Sequence, residues 1–472
     1  MGTISTAFSI ISGALDADQS ALSIVSGNVA NANTSGYTQE TANFQENSPV
    51  TINGQNYGDG VTETGATSVR DRVLEGRIDQ QQQLASSSTA RLSALNTMQT
   101  LFTPDSGSST STSGDIGTDI TSFFDAFSTL QGSPTSNADR QAVLSDGKIL
   151  SGDISNAASG LVAQQSALDQ EAGSVAGQIN SLTSSIAQLN QQIQSTSPNG
   201  DAGTLEDQRQ YDLNQLSQLV GINQITTEDN GLTITTTAGQ VLVSKNISYP
   251  VTTGKQNGVT HFFVGNTDVT SSLASGGGEL GGYLTARDQD IPTALSALDN
   301  LAYYISTSVN TQNAAGTDLN GNVGGNIFAA PTQVSGSAEN MSVVMTDPNG
   351  IAAAASGAAA NSGDDTNAVK LAAIGTQAST LPNGLAPVNY YSDLVTALGS
   401  TITEVQTENT AQTASVTQLT TQRNSLSEVN LNDEASSLTN LERSYQAAGQ
   451  FFTIMDAVMA SALNLGTDTA VQ

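Results

Sequence analysis

Few residues in this 472-residue chain have the types that catalysis needs. His261 is the single histidine, so a histidine-based triad has one candidate base. Its neighbours Thr260 and Phe262-Phe263 read as strand, and no G-x-S-x-G turn lies nearby, so a half-exposed strand residue is the simpler reading. The absence of Cys removes disulfides, zinc–thiolate centres and thiol nucleophiles. The carboxylates are scattered and nominate no acid/base pair. Asp318-Leu-Asn-Gly-Asn322 has some features of a calcium loop, but lacks the D-x-[DN]-x-[DN]-G order and the closing Glu. Gly276-Gly-Gly278 and Gly281-Gly282 are followed by no G-K-[ST], and read as a flexible joint before a helix. These residues supply no catalytic constellation and call for no cofactor or metal. The expectation is a protein that is not an enzyme.

Charge narrows the class further. Lys+Arg number 13 and Asp+Glu 43, a net charge of −30, which argues against nucleic acid because phosphate contacts need clustered Lys and Arg. The acidic surface serves solubility. No apolar run approaches the ~20 residues that span a bilayer. The first basic residue is Arg70, and residues 1–29 are broken every few positions by Ser, Gly, Gln or Asp. A cleavable secretory signal has a basic start and an apolar run, so none is expected here. The chain is then cytoplasmic, or exported by a route that reads no cleaved signal. Its low charge density, its polar composition and its lack of Cys favour export.

The elements that position the remaining residues are mostly helical. Ile4, Phe8, Ile11, Leu15, Leu22, Val25 and Val29 follow an a/d seam with Asp18 left polar. Turn formers end it at residues 31–37. At the other end Leu431, Ala435, Leu438, Leu441, Tyr445, Ala448, Phe452, Met455, Met459 and Ala462 are spaced in threes and fours, with Asp433 and Glu434 suited to a helix start. An ordinary core-facing helix would explain each stripe alone. Two stripes of similar length are most economically buried against each other, then against neighbouring copies. Further helices are expected over 67–102, 116–130, 137–195, 203–219, 282–313 and 389–426, with a Ser/Gly/Thr loop at 105–114. Residues 222–269 are rich in Thr, Val, Ile and Phe; strands are expected at 231–237, 240–244 and 260–264, with Asn230-Gly231 and Asn257-Gly258 as hairpin turns. The fold class expected is mainly α with β insertions: terminal helices paired as a coiled coil, a long helical rod, and small β-rich outer parts. The division is 1–50 with 429–472 as the inner domain, 51–315 with 388–428 as the rod, and 316–387 as a small inserted domain.

Against this frame Asn28-Val-Ala-Asn-Ala-Asn-Thr-Ser-Gly-Tyr37 resembles the N-x-A-N-x-x-T-x-G-Y signature of flagellar axial proteins; its matching residues are Asn28, Asn31, Thr34, Gly36 and Tyr37. Leu205-Glu-Asp-Gln-Arg209 with residues 216–222, Gly281-Gly-Tyr-Leu-Thr-Ala-Arg-Asp288 and the stretch 309–321 resemble three further segments of the FlgK-like hook-associated family. Residues 429–435 and 445–448 fit as well. The resemblance implies a structural part of the hook–filament junction, exported through the flagellar type III channel. It also implies contacts with other copies, the hook protein FlgE and the second junction protein FlgL, with FlgN as export chaperone. No nucleic acid and no membrane insertion are expected. In the signature, Asn31, Asn33 and Gly36 suit turn or left-handed backbone, Asn28 and Asn31 can bond the backbone where the helix ends, and Tyr37 offers a ring plus a hydroxyl. The block reads as a fixed bend at the exit of the inner helix. A hook or rod protein, which shares the signature, and a surface adhesin using residues 316–387 are the alternatives.

Overall fold

The computed structural model describes residues 2–34, 36–52, 54–102, 115–197, 201–228, 230–256 and 258–467. The expected loop at 105–114 and Asn257 of the second hairpin turn lie outside them, as do the side chains of Ile4 and Ala462. The chain begins with α1 (Gly2–Asn31), followed by two nested antiparallel ribbons, β1 (Glu40–Glu46) with β4 (Val61–Ser68) and, inside them, β2 (Val50–Ile52) with β3 (Gln55–Tyr57). These strands were not legible as such, and Thr67 and Ser68 belong to β4 rather than to the helix expected from residue 67. The helix α2 runs Arg72–Phe102, α3 Ile116–Gly132, α4 Asn137–Thr196 and α5 Thr204–Leu219.

Two cores are strung along α4, which at 60 residues is about 90 Å long at ~1.5 Å per residue. Ser136 caps its start, accepting from the Asp139 N–H at 3.3 Å. Its first half packs against α3, where Phe123 stands edge-on to Phe124, Phe127 and Phe328 with ring centroids 5.1, 5.3 and 5.4 Å away. Its second half, through Ala172, Ile179 and Ile186, packs against α5 and a β region. That region is an antiparallel meander of β5 (Ile222–Thr226), β6 (Leu232–Thr236), β7 (Val241–Ser244) and β8 (Ile247–Ser248), then a second sheet of β9 (Val251–Gln256), β10 (Val259–Val264) and β11 (Thr267–Asp268). Thr/Val/Ile-rich sequence suits a pleated, half-buried surface, which is why this stretch departs from helix.

The helices α6 (Thr270–Ala274), α7 (Gly278–Thr285) and α8 (Ile291–Ala314) follow, with one π turn at Ala286–Asp290 joining the last two. The glycines expected to form a flexible joint are instead packed. A Cβ on Gly282 would stand 2.3 Å from the Ser87 carbonyl oxygen, and one on Gly278 2.4 Å from the Val220 nitrogen. They let α7 approach α2 and the α5–β5 turn closely.

The segment 316–387, expected as an inserted outer domain, holds only β12 (Gly316–Thr317), β13 (Ala354–Ala355) and α9 (Thr366–Ala373) as regular helix or strand apart from two 3-10 turns. It is not free-standing: Ile327, Phe328, Met341, Ile351 and Leu371 are buried in the same core as α3, α4 and α8. Asn310 and Asn313 fasten it. Asn310 Oδ1 accepts from the N–H groups of Ile327 and Phe328 at 2.9 and 3.0 Å, and Asn313 Oδ1 accepts from that of Ala352 at 2.8 Å. The helix α10 (Pro387–Ser427) then returns along α2, and α11 (Leu431–Thr467) returns along α1. The architecture is mainly α with β insertions.

Candidate assembly site

The first and last helices meet. Phe8 and Phe452 pack with ring centroids 4.6 Å apart. Phe8, Ile11, Leu15 and Leu22 on α1, and Leu438, Leu441, Phe452, Met455 and Met459 on α11, are half-buried. The most buried α1 positions, however, are Ala17, Ala21, Val25 and Asn28. The cause is a second partner. The β1–β4 ribbon lies on α1, with the Val61 carbonyl oxygen 3.2 Å from where a Gly13 Cβ would be, so the buried face turns towards both neighbours. Val29, Leu431 and Tyr445, placed on the seam by their spacing, are exposed in the single chain. So is a second α11 stripe that the spacing argument passed over: Phe451 at 61%, Ile454 at 57% and Val458 at 46% exposure.

Where α1 ends, the signature residues form a buried polar hub. Asn28 is 1% exposed and all its hydrogen-bonding capacity is used. Its Nδ2 donates to the Glu40 carbonyl at 2.8 Å and to Glu434 Oε1 at 3.1 Å. Its Oδ1 accepts from the Tyr37 hydroxyl at 2.9 Å and from the Glu40 N–H at 3.0 Å. One side chain therefore ties the end of α1 to β1 and to the first turn of α11, 406 residues away. Gln39 Nε2 also donates to Glu434 Oε1 at 2.7 Å. Burial, then the charges of Glu40, Asp207 and Glu434, push the Tyr37 phenol up to about 12, so it stays a donor. Burial, then Asp207 and Asp201, also raises Glu40.

The turn itself is tied locally. Asn31 Nδ2 donates to the Gly27 carbonyl at 3.0 Å, and the Thr34 hydroxyl to Asn31 Oδ1 at 3.2 Å. Of this turn's described residues only Gly36, at φ +84°, is left-handed; Asn31 ends the helix and Asn33 keeps negative φ. Of the turn or left-handed backbone expected here, the asparagines take the turn: the Thr34 N–H donates to the Asn31 carbonyl at 2.8 Å and the Tyr37 N–H to the Thr34 carbonyl at 3.2 Å.

The hub continues into the rod through the second motif. The Thr38 N–H donates to Asp207 Oδ2 at 3.1 Å. Arg70 pairs with Asp207 and, at 2.8 Å, with Glu206, which also takes Arg72 at 2.9 Å. Arg423 of α10 donates to Glu75 at 2.9 Å and to the Gly36 carbonyl at 3.1 Å. Two sequence motifs about 170 residues apart thus close on each other, an association that local patterning has no means to reveal. Arg209 turns the other way, to Asn190 Oδ1 at 3.0 Å and the Asn230 carbonyl at 2.8 Å.

The remaining polar residues do structural work. His261 sits half-buried on β10 with Nδ1 2.7 Å from Asp268. Arg287 is buried between Asp169, the Thr260 carbonyl and Asp288. Asp318 spends its carboxylate on the Asn322 N–H at 2.7 Å. One carboxylate pair does form: Asp119 of α3 faces Asp153 of α4, and burial first and Asp153 second push Asp119 up to about 7. Asp79, buried beneath amide donors from Gln224, Gln210 and Asn214, is likewise raised to about 7 by burial. Among the described residues no cluster of three His, Asp or Glu could hold a metal ion, and no helix is long and apolar enough to cross a membrane.

Comparison with known proteins shows what the chain as a whole is similar to. The family model described as the helical domain of flagellar hook-associated protein FlgK matches residues 105–328, and that of the flagellar basal-body rod proteins matches residues 10–38. Flagellar hook-associated protein 1 of Bacillus subtilis is 28% identical, with 96% of each chain covered. That of Escherichia coli is 25% identical, with 96% of this chain and 98% of the relative covered. The solved structure of the flagellar hook junction protein FlgK from Burkholderia pseudomallei superposes with a TM-score of 0.65 at 19% identity, over 74% of this chain and 100% of that one.

Proposed function

Because the chain belongs to the FlgK family of flagellar hook-associated proteins, we propose that its paired terminal helices dock it among its neighbours at the hook–filament junction. The family is structural, a part of the flagellum outside the cell. The observation that carries the proposal is the open apolar stripe Phe451, Ile454 and Val458 beside the α1–α11 seam, in a chain of net charge −30. An exposed apolar stripe on an otherwise acidic chain marks a protein interface.

In this reading the inner unit is 1–50 with 429–472, and Phe8, Leu15, Leu438 and Phe452 hold its two helices together. The rod is 51–315 with 388–428, and residues 316–387 belong with it because they share its core. Ile4, Val29, Leu431 and Tyr445 are assigned to contacts between copies. The hook protein FlgE lies on one side and the second junction protein FlgL on the other. Export runs through the flagellar type III channel without a cleaved signal, with FlgN holding the C-terminal helix beforehand. An acidic, cysteine-free chain with open terminal faces suits that route. The chain acts by packing and not by catalysis.

The test is a clean deletion of the gene in its host. Cells should carry hooks without filaments and leak filament protein into the medium, and the intact gene should restore both. Full-length filaments on the deletion strain refute the proposal.

A further inference from the structure

We propose that the arginine cleft at the start of α2 receives the acidic β1–β4 ribbon of a second copy of this chain. The inference rests on the reading above that copies associate at the junction, and it names the surface they use.

The cleft is a cavity of about 330 Å³ lined by Arg70, Arg72, Arg77 and Arg209, four of the chain's nine arginines. Two carboxyls share the lining, Glu206 and Asp79. Arg70 is taken up by both Asp207 and Glu206, and Glu206 also holds Arg72, whose side chain is still 56% exposed. Arg77 is exposed and makes no hydrogen bond or ion pair among the described residues. Asp79 is raised to about 7 and so offers less than a full negative charge near neutrality. Arg209 is buried and bonded to Asn190 and Asn230, so the guanidiniums open at this cleft of a −30 chain are those of Arg72 and Arg77, and open guanidinium binds carboxylate. The rim adds apolar area: Val73, at 75% exposure, and Leu426 border the adjoining groove.

The chain carries a matching surface elsewhere. Residues 1–69 contain no Lys or Arg. On the ribbon, Phe44 pairs with Glu63 and Glu46 with Val61 across the strands, and Phe44, Glu46 and Val61 are exposed. Acid and apolar side chains alternate there as basic and apolar ones do at the cleft. In its own chain the ribbon lies on α1; the end of β4, Thr67 and Ser68, lines the adjoining groove, and the far end with Phe44, Glu46 and Val61 supplies no residue to the cleft. Because the two surfaces differ, the contact is heterologous. It repeats from copy to copy, as a ring or helical assembly requires.

The absence of native cysteine makes the test clean. Cells expressing Arg77→Cys/Glu46→Cys in place of the native chain are oxidised mildly, and sheared flagella are run without reductant. A ladder of dimers and higher multimers, absent from each single variant, is the expected result. Flagella that hold the double variant and give no ladder overturn the proposal. As a second measurement, a photoreactive phenylalanine analogue at position 77 should capture a peptide from residues 40–68 of the same chain. Capture of any other peptide overturns the proposal. If the chain is missing from sheared flagella altogether, the junction reading falls first and this one with it.

Discussion

Removing the Asn28 side chain should loosen the terminal helices more than any other single truncation in the signature. Asn28→Ala takes away four hydrogen bonds at 2.8, 3.1, 2.9 and 3.0 Å. Their partners are unequal. Glu434 keeps Gln39 as a donor, so its loss is small. The buried Tyr37 hydroxyl and the part-buried N–H and carbonyl of Glu40 lose their partner. An orphaned buried polar group costs about 1–3 kcal/mol; with the two Glu40 groups part-buried and so at the low end, the three together cost roughly 3–5 kcal/mol. Tyr37→Phe removes only one bond and leaves Asn28 Oδ1 bonded to the Glu40 N–H, at a cost of about 1 kcal/mol. Combining the two should cost no more than Asn28→Ala alone, because the hydroxyl orphaned by the first change is removed by the second. Amide hydrogen exchange reads the opening free energy of α1, β1 and the start of α11 separately from that of α4. A change below about 0.5 kcal/mol for Asn28→Ala, or costs that simply add in the double variant, would refute the hub as the lock of this joint.

Leu15→Asp, on the half-buried α1 seam, should abolish junction assembly while the near-ultraviolet signal and melting of the rod stay unchanged; normal filaments on that strain would count against the role of the seam. Gly282→Ala places a methyl 2.3 Å from the Ser87 carbonyl oxygen and 2.8 Å from the Ala90 Cβ. The overpacking cost of about 1–3 kcal/mol outweighs the ~1 kcal/mol helix-propensity gain, so urea unfolding should show net destabilisation. Asp119 is raised on folding, so its folded form holds a proton more tightly than the unfolded chain does. Its stabilising contribution is complete below the ordinary carboxyl value and is lost as pH rises towards about 7. Asp119→Asn keeps a permanent donor to Asp153, so it should melt higher than the parent at pH 8, match it near pH 4, and flatten the curve between.

Periodicity carried the helices and failed where their partners were not helical. The regular threes and fours of residues 179–193 give α4, and the terminal stripes give the pairing of α1 with α11. The ribbon at 40–68 is hard to read because Glu40–Glu46 is mostly exposed and its period of two is carried by Ala42 and Phe44 alone. Ala17 and Ala21 are among the most buried residues of α1, yet alanine is too small to mark a stripe. Gly278 and Gly282 show why glycine is ambiguous in sequence: a flexible joint and a tight helix crossing call for the same residue. The 316–387 segment holds its fold with asparagine-to-backbone bonds rather than periodic burial. The hub needed Asn28, Asp207 and Glu434 to be brought together from three distant places. The signature pointed to the first of these but not to what it holds.

The pairing of α1 with α11 has a consequence in time. During synthesis α1 is complete at Asn31, but its partner does not begin until Leu431. At about 5–20 residues per second, that interval is on the order of 20–80 s. Through it the first helix of every nascent chain is without the helix it will pack on, and Asn28 without Glu434. The last tenth of the chain to leave the ribosome therefore decides when the first tenth can settle, and a truncated product never closes its own beginning.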